Sequence, residues 1–249
     1  MSDKATNLLI SSSDRDLNSN ANTPSNFRVQ LSSNILNANK MCLVNLILPY
    51  TFYNVLSGIN NQIIVNGTTY TLPPGNYSLT ELLLQIQNQV QVALPSFQIL
   101  YNDITSQVIL TNPVSITVSF PLINLAEMLG FPQVTTNLTG AIINGVTPPN
   151  IGPLNILLNL DIGSGMNNSN RFAGSASFII PVLVNKNEYI LFSDRTHYVA
   201  ETKVNSQLLN SIDVRVTDNK GRPLIGLGDW SFLLRFDHVD TRMVKCNGN

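Results

Sequence analysis

Short runs in which apolar and polar residues alternate recur along most of this chain, and they restrict it to a fold built mainly of strands. In Phe27-Arg28-Val29-Gln30-Leu31 every second side chain is apolar, the pattern of a strand with one buried face. Residues 41–48 make a longer, more apolar strand stopped by Pro49. Further strand patterns follow at 154–162, 177–184, 188–192, 199–204, 212–217 and 230–238. Among these, Asp213-Val214-Arg215-Val216 alternates cleanly, and Trp230-Ser231-Phe232-Leu233-Leu234-Arg235-Phe236 reads as a central strand. Turn-rich segments such as 163–170 and Asp218-Asn219-Lys220-Gly221 separate them. Many strands punctuated by turns imply an antiparallel sandwich or barrel.

The middle of the chain breaks this rhythm. Gln62-Ile63-Ile64-Val65 and Thr68-Thr69-Tyr70-Thr71-Leu72 flank Asn66-Gly67, a strong hairpin signal because both turn residues tolerate positive φ. One helix follows. Ser78 and Glu81 form a Ser-x-x-Glu capping box, and Leu79, Leu82, Leu83, Ile86 and Val90 recur behind it at helical spacing. Strands at 97–101, 107–111 and 116–120 and a short helical stretch at 122–128 complete an α+β module over residues 59–131. Residues 134–153, rich in Thr, Asn, Gly and Pro, read as a linker. Residues 1–25 read as an extended N-terminal arm whose one apolar anchor is Leu8-Leu9-Ile10. The expected architecture is mainly β. It is an eight-stranded jelly-roll sandwich from residues 26–58 and 132–249, two strands before the insertion and six after it, with the α+β module inserted through one loop.

Composition narrows the function. Lys and Arg total 14 against 15 Asp and Glu, a net charge of −1, so the chain lacks the basic excess that non-specific nucleic-acid binding needs. Charged residues make up only 12 %, about half the ordinary share. Neutral polar residues replace them: 33 of the 249 residues are Asn. A surface short of Lys, Glu and Asp is cheap to desolvate against another chain. No apolar stretch approaches the roughly 18 residues of a membrane-spanning helix, and Met1-Ser2-Asp3-Lys4 opens no signal peptide. Cys42 and Cys246 cannot make a disulfide framework; both read as free thiols, Cys42 packed in a strand.

Catalytic and metal patterns are absent. His197 and His238 are the only histidines. His238 adjoins Asp237 and lies near Asp240, and His197 follows Asp194, but no histidine or cysteine cluster has ligand spacing. No serine sits in a G-x-S-x-G elbow, and Gly163-Ser164-Gly165-Met166 is too short to cradle a phosphate. The expectation is a non-enzyme with no catalytic, cofactor-binding, metal or nucleic-acid residues. Sequons such as Asn66-Gly67-Thr68 are what an Asn-rich chain produces by chance.

Scattered segments, in order, carry a resemblance. Ser11-Ser12-Ser13-Asp14-Arg15-Asp16 and Pro24-Ser25-Asn26-Phe27-Arg28-Val29-Gln30-Leu31 open it. Leu46-Ile47-Leu48-Pro49-Tyr50-Thr51-Phe52-Tyr53-Asn54, Gly75-Asn76-Tyr77-Ser78, Leu129-Gly130-Phe131 and the closing strand at Trp230 continue it. Together they resemble penton (vertex) capsid proteins of virophages and Polinton-like viruses, with the Sputnik type nearest. The resemblance implies a structural protein: a homopentamer at the five-fold vertices of an icosahedral virion, set among major and minor capsid proteins and assembled in the host cytoplasm or a viral factory. It assigns no individual interface residue. Low charge lets Arg215 and Arg235 serve orientation more than affinity in such a ring. The alternative is a jelly-roll receptor- or carbohydrate-binding domain of fibre-head or lectin type, which needs exposed aromatics; Trp230 lies inside an apolar strand.

Overall fold

In a computed structural model, residues 5–15, 22–121, 123–132, 137–161, 177–194 and 201–238 are described. In chain order the elements are β1 (Ala5–Ser11), a 3-10 turn (Ser12–Asp14), β2 (Asn26–Pro49), β3 (Gln62–Val65), β4 (Thr68–Thr71), α1 (Leu79–Gln91), β5 (Gln98–Asn102) and β6 (Gln107–Ser119). They continue with α2 (Ile123–Leu129), β7 (Leu138–Asn144), β8 (Asn155–Asp161), β9 (Phe178–Pro181), β10 (Tyr189–Ser193), β11 (Glu201–Asp218) and β12 (Ser231–His238). The chain divides into two compact units, one up to Phe52 and from Leu154 onward, the other Tyr53–Pro153.

The first unit is the jelly roll. Strand β2 runs for 24 residues and takes part in both layers. Its C-terminal half pairs with β12 on one side and β10 on the other, and β1 adds to β12. Its N-terminal part pairs with β11, which continues to β8 and β9. Two four-stranded antiparallel layers result, β1-β12-β2-β10 and β2-β11-β8-β9. The register of β11 against β2 shifts between Lys203 and Ser206 and again between Leu209 and Ser211. Asn37, opposite this stretch, has φ 53°. Bulges of this kind bend a strand and increase its twist, which lets both long strands turn from one layer into the other.

One core fills the space between the layers. Ile10, Leu46, Leu48, Ile190, Phe232, Leu234 and Phe236 come from one side, and Phe27, Leu158, Ile180, Ile212, Val214 and Val216 from the other. Trp230 stacks on Phe232 at 5.1 Å and meets Phe27 edge-on at 6.0 Å. The indole N–H donates to the Pro24 carbonyl at 2.7 Å, so the polar tip of the ring is satisfied where it is buried.

The strand membership differs from the sequence expectation in three places. The runs at 26–31 and 41–48 are halves of one strand, and residues 201–204 and 212–217 belong to the single strand β11, while positions 199 and 200 lie outside the described residues. Among the described residues the unit has seven strands, β2 serving in both layers, and one of them is β1, which lies within the segment expected to be an extended arm. Ala5–Ser11 pairs with β12 over seven positions, and Leu8 and Ile10 turn inward. Positions 1–4 and 16–21 of that arm, the turn segment 163–170 and residue 162 of the strand expected at 154–162 lie outside the described residues.

In the second unit the sheet order is β4-β3-β6-β5, with β7 on the other side of β6. Asn66 and Gly67 form the β3–β4 turn with φ 49° and 80°. At α1, Ser78 Oγ accepts from the Glu81 N–H, and the Glu81 carboxylate accepts from the Ser78 N–H at 2.7 Å. Leu82, Leu83, Ile86 and Val90 bury one face of the helix against this unit's own core. The expected linker at 134–153 contains β7, whose Thr, Gly and Asn content masks a strand paired with β6. Gly130 ends α2 with φ 79°, and a Cβ there would lie 2.0 Å from the Thr147 carbonyl oxygen. Only glycine permits that approach.

Truncating Phe232 to Ala is expected to cost about 3–5 kcal/mol, read as a lower denaturant midpoint for the jelly-roll unit. Ser78→Ala removes only a helix cap and is expected to cost about 1 kcal/mol, seen in the unfolding of the second unit.

Candidate functional site

Side chains considered for chemistry in the sequence are engaged structurally. His238 Nδ1 lies 2.7 Å from the Leu36 carbonyl oxygen, and Nε2 lies 2.8 Å from Thr6 Oγ1. Because a carbonyl only accepts, Nδ1 carries the proton and the ring ties β12 to β1 and β2. Asp237 receives Arg235 Nε at 2.9 Å. Cys42 is buried, and that burial, more than the nearby Asp237 and Glu201, pushes its thiol pKa up; such a thiol is a poor nucleophile. Among the described residues no three His, Cys, Asp or Glu side chains converge as a metal site would require. His197, Asp240, Cys246 and Gly163-Ser164-Gly165-Met166 lie outside the described residues.

A polar knot fastens the edge of the first layer. Ser11 caps the 3-10 turn, its Oγ accepting from the Ser13 N–H and its N–H donating to Asp14. The Ser12 N–H donates to the Trp230 carbonyl at 2.8 Å, and the Trp230 N–H returns a bond to Ser12 Oγ at 2.9 Å. Ser12 Oγ then donates to Asp229 at 3.0 Å, and Arg15 bridges Asp229 to the Ser12 carbonyl. The serine-rich segment that reads as polar and irregular is therefore the clasp that holds β1 on β12. The Arg15 guanidinium is the main reason the Asp229 carboxyl titrates below the ordinary carboxylate value, with Ser12 adding to it.

Two rows on the outward face of the layer β1-β12-β2-β10 are uncharged, while Arg235 and Asp237 lie further along β12 on the same face. Register sets Leu9, Leu233, Asn45 and Ser193 in one row across the strands, and Ser11, Ser231, Ile47 and Leu191 in the next. Tyr189 stands beside Pro49 at the far edge. Leu9 is 68 % exposed and Leu191 71 %, with Ile47 and Tyr189 also open to solvent. Neither row carries a charge. Contiguous exposed apolar patches are uncommon on monomers and mark contact surfaces. The sequence signal for this face was the failure of alternation: Leu8-Leu9-Ile10, Leu46-Ile47-Leu48 and Tyr189-Ile190-Leu191 are apolar at both parities.

The outward face of the other layer has a different character. Arg28 and Asp213 form an ion pair across β2 and β11, and Arg215 lies two positions further along β11, in register with Asn26 and Asn159. Of the two arginines singled out in the sequence, Arg235 is thus paired along its own strand, whereas Arg215 meets no carboxylate among the described residues.

No family model matches the chain, and no curated protein matches it in sequence. Its fold does resemble a solved structure, that of the SeMet-labelled mavirus penton protein, with a TM-score of 0.53. The match covers 94 % of this chain and 99 % of that one at 12 % identity. The two chains therefore share a fold, a jelly roll with an insertion, and the likeness extends through the insertion.

The Asp229 clasp predicts a pH dependence. A carboxylate whose folded pKa lies below its unfolded value of about 4 contributes stability above that value and loses it as pH falls through the folded pKa. Amide exchange in β1, corrected for intrinsic rates, is expected to accelerate as pH drops below about 4, and Asp229→Asn is expected to remove that pH dependence while leaving the β2–β11 amides unaffected.

Proposed function

We propose that this chain is a structural capsid protein that assembles as a homopentamer at the vertices of an icosahedral virion. The observation that carries the reading is the pair of uncharged rows through Leu9, Ile47 and Leu191 on the outward face of the β1-β12-β2-β10 layer, on a fold similar to that of the mavirus penton protein. Low overall charge and structural roles for the half-buried His238 and the buried Cys42 favour assembly over catalysis. A ring of five requires a heterologous contact, one flank of the sandwich against the opposite flank of the next copy. A stable contact of that kind needs about 1,000 Å² or more per pair, and an apolar centre supplies it at low desolvation cost. Neighbouring major capsid protein subunits would surround such a ring, and the virion is its location. The nearer likeness to Sputnik-type pentons rests on the sequence segments alone. For the sugar-binding alternative, Trp230 is only 3 % exposed and offers no stacking surface, so that reading would have to rest on exposed tyrosines such as Tyr189.

Native mass measurement of the purified chain across a concentration series tests the reading. A five-subunit species, formed by the chain alone or on mixing with the partner capsid protein, is the expected result. Leu191→Asp and Ile47→Asp each place a charge in the apolar rows. Each is expected to weaken assembly at least about tenfold, or 1.4 kcal/mol, without lowering the melting temperature. Undiminished pentamer and particle yield from both variants would show that this face is not the contact.

A further inference from the structure

A cleft of about 570 Å³ opens in the jelly-roll unit, lined by residues 23–26, Arg215 and residues 223–227. Both walls are pinned. The first is the turn Thr23-Pro24-Ser25-Asn26, closed by reciprocal backbone hydrogen bonds between Thr23 and Asn26 at 2.8 and 3.0 Å. The Trp230 indole holds this wall through the Pro24 carbonyl, and the Val216 N–H holds it through the Ser25 carbonyl. The second wall is Pro223-Leu224-Ile225-Gly226-Leu227. Thr51 Oγ1 donates to the Gly226 carbonyl at 3.1 Å and accepts from the Gly228 N–H at 3.0 Å. Leu224 and Leu227 are anchored in the core, while Ile225 stands 53 % exposed. The cleft is thus built before anything enters it, as ligand sites usually are.

Its chemistry is one cation among apolar walls. Pro24, Pro223, Leu224, Ile225 and Leu227 supply the walls, and Arg215 supplies the charge. Among the described residues, Arg15, Arg28, Arg222 and Arg235 each have a carboxylate, on Asp229, Asp213, Asp218 and Asp237 respectively. Arg215 is the exception. The guanidinium fork matches a carboxylate with two parallel hydrogen bonds. A phosphate would call for more positive charge than one arginine in an apolar surround, and a wholly apolar ligand would leave the guanidinium without a partner.

We propose that this cleft binds an extended peptide segment that presents a glutamate or aspartate between apolar side chains. The carboxylate pairs with Arg215, and the flanking side chains pack on Pro24 in the first wall and on Ile225 at the rim of the second. Such a segment belongs to a partner protein. The proposal does not depend on pentamer formation and is tested on the isolated chain.

Trp230 is the single tryptophan in the sequence, and its indole N–H touches the cleft wall through Pro24, so its NMR resonance reports occupancy without a label. The probe is the peptide acetyl-Ala-Leu-Glu-Leu-Ala-amide, with its Gln counterpart and sodium butyrate as comparisons. The Glu peptide is expected to shift the indole resonance saturably. The Gln peptide, and the Glu peptide on Arg215→Gln, are expected to bind at least about tenfold more weakly. Ile225→Asp, which leaves Arg215 in place, is expected to weaken the Glu peptide as well. Three results would each overturn the proposal: no saturable shift, equal binding by Arg215→Gln, or butyrate binding as tightly as the peptide. The last would mark a small-anion site.

Discussion

The ladder between β2 and β11 is the constraint on which the rest of the jelly roll depends. These two strands, of 24 and 18 residues, pair from Cys42 and Glu201 at one end to Asn26 and Arg215 at the other. Each strand belongs to both layers, so the layers are one hydrogen-bonded surface folded over. The bend is not arbitrary. It coincides with the register shifts in β11 and with Asn37, whose left-handed backbone is one of the few that a non-glycine residue such as Asn adopts readily. β12 and β10 attach to the flanks of β2, and β8 attaches to β11. Weakening the central ladder would therefore loosen both layers together.

The scarcity of charge gains its meaning from where the charges sit. Arg28 with Asp213, Lys40 with Glu201, Arg222 with Asp218 and Arg15 with Asp229 form local pairs. The more exposed of these, Arg28–Asp213 and Lys40–Glu201, contribute at most about 1 kcal/mol each, so they do little for stability. Their positions matter more: they stand apart from the rows through Leu9, Ile47 and Leu191, which are left free of charge across all four strands. Asparagine, which needs less desolvation than a carboxylate or an ammonium group, occupies the place in that face where a charge would be most obstructive, at Asn45.

Features governed by local chemistry were legible in the sequence. The Asn66-Gly67 turn and the Ser78–Glu81 cap appear where the residues place them, because each is decided within four residues. The period-two pattern of β12 was equally clear, since Phe232, Leu234 and Phe236 all point into the core. What the sequence hid depends on distant partners. β1 was read as an arm because its polar end closes on Asp229 and Trp230, more than 200 positions away. β7 was hidden by its Thr and Gly content, because its order comes from the backbone of β6. The halves of β2 and of β11 looked like separate strands, since a bulge interrupts alternation just as a turn does. The outward apolar face was visible as runs apolar at both parities, although those runs alone do not say which parity faces out. Arg215 stood out as a charge on an alternating strand, but that it meets no carboxylate among the described residues emerges only beside the four other described arginines, which do.

The pairing of β1 with β12 joins segments far apart in the chain: Thr6 and His238 touch although they stand 232 positions apart in sequence. Synthesis makes β1 more than 200 positions before β12, the strand it pairs with. Until β12 follows, β1 has no neighbour in the layer, and the outward rows of Leu9, Leu233 and Ile47 do not exist as a surface.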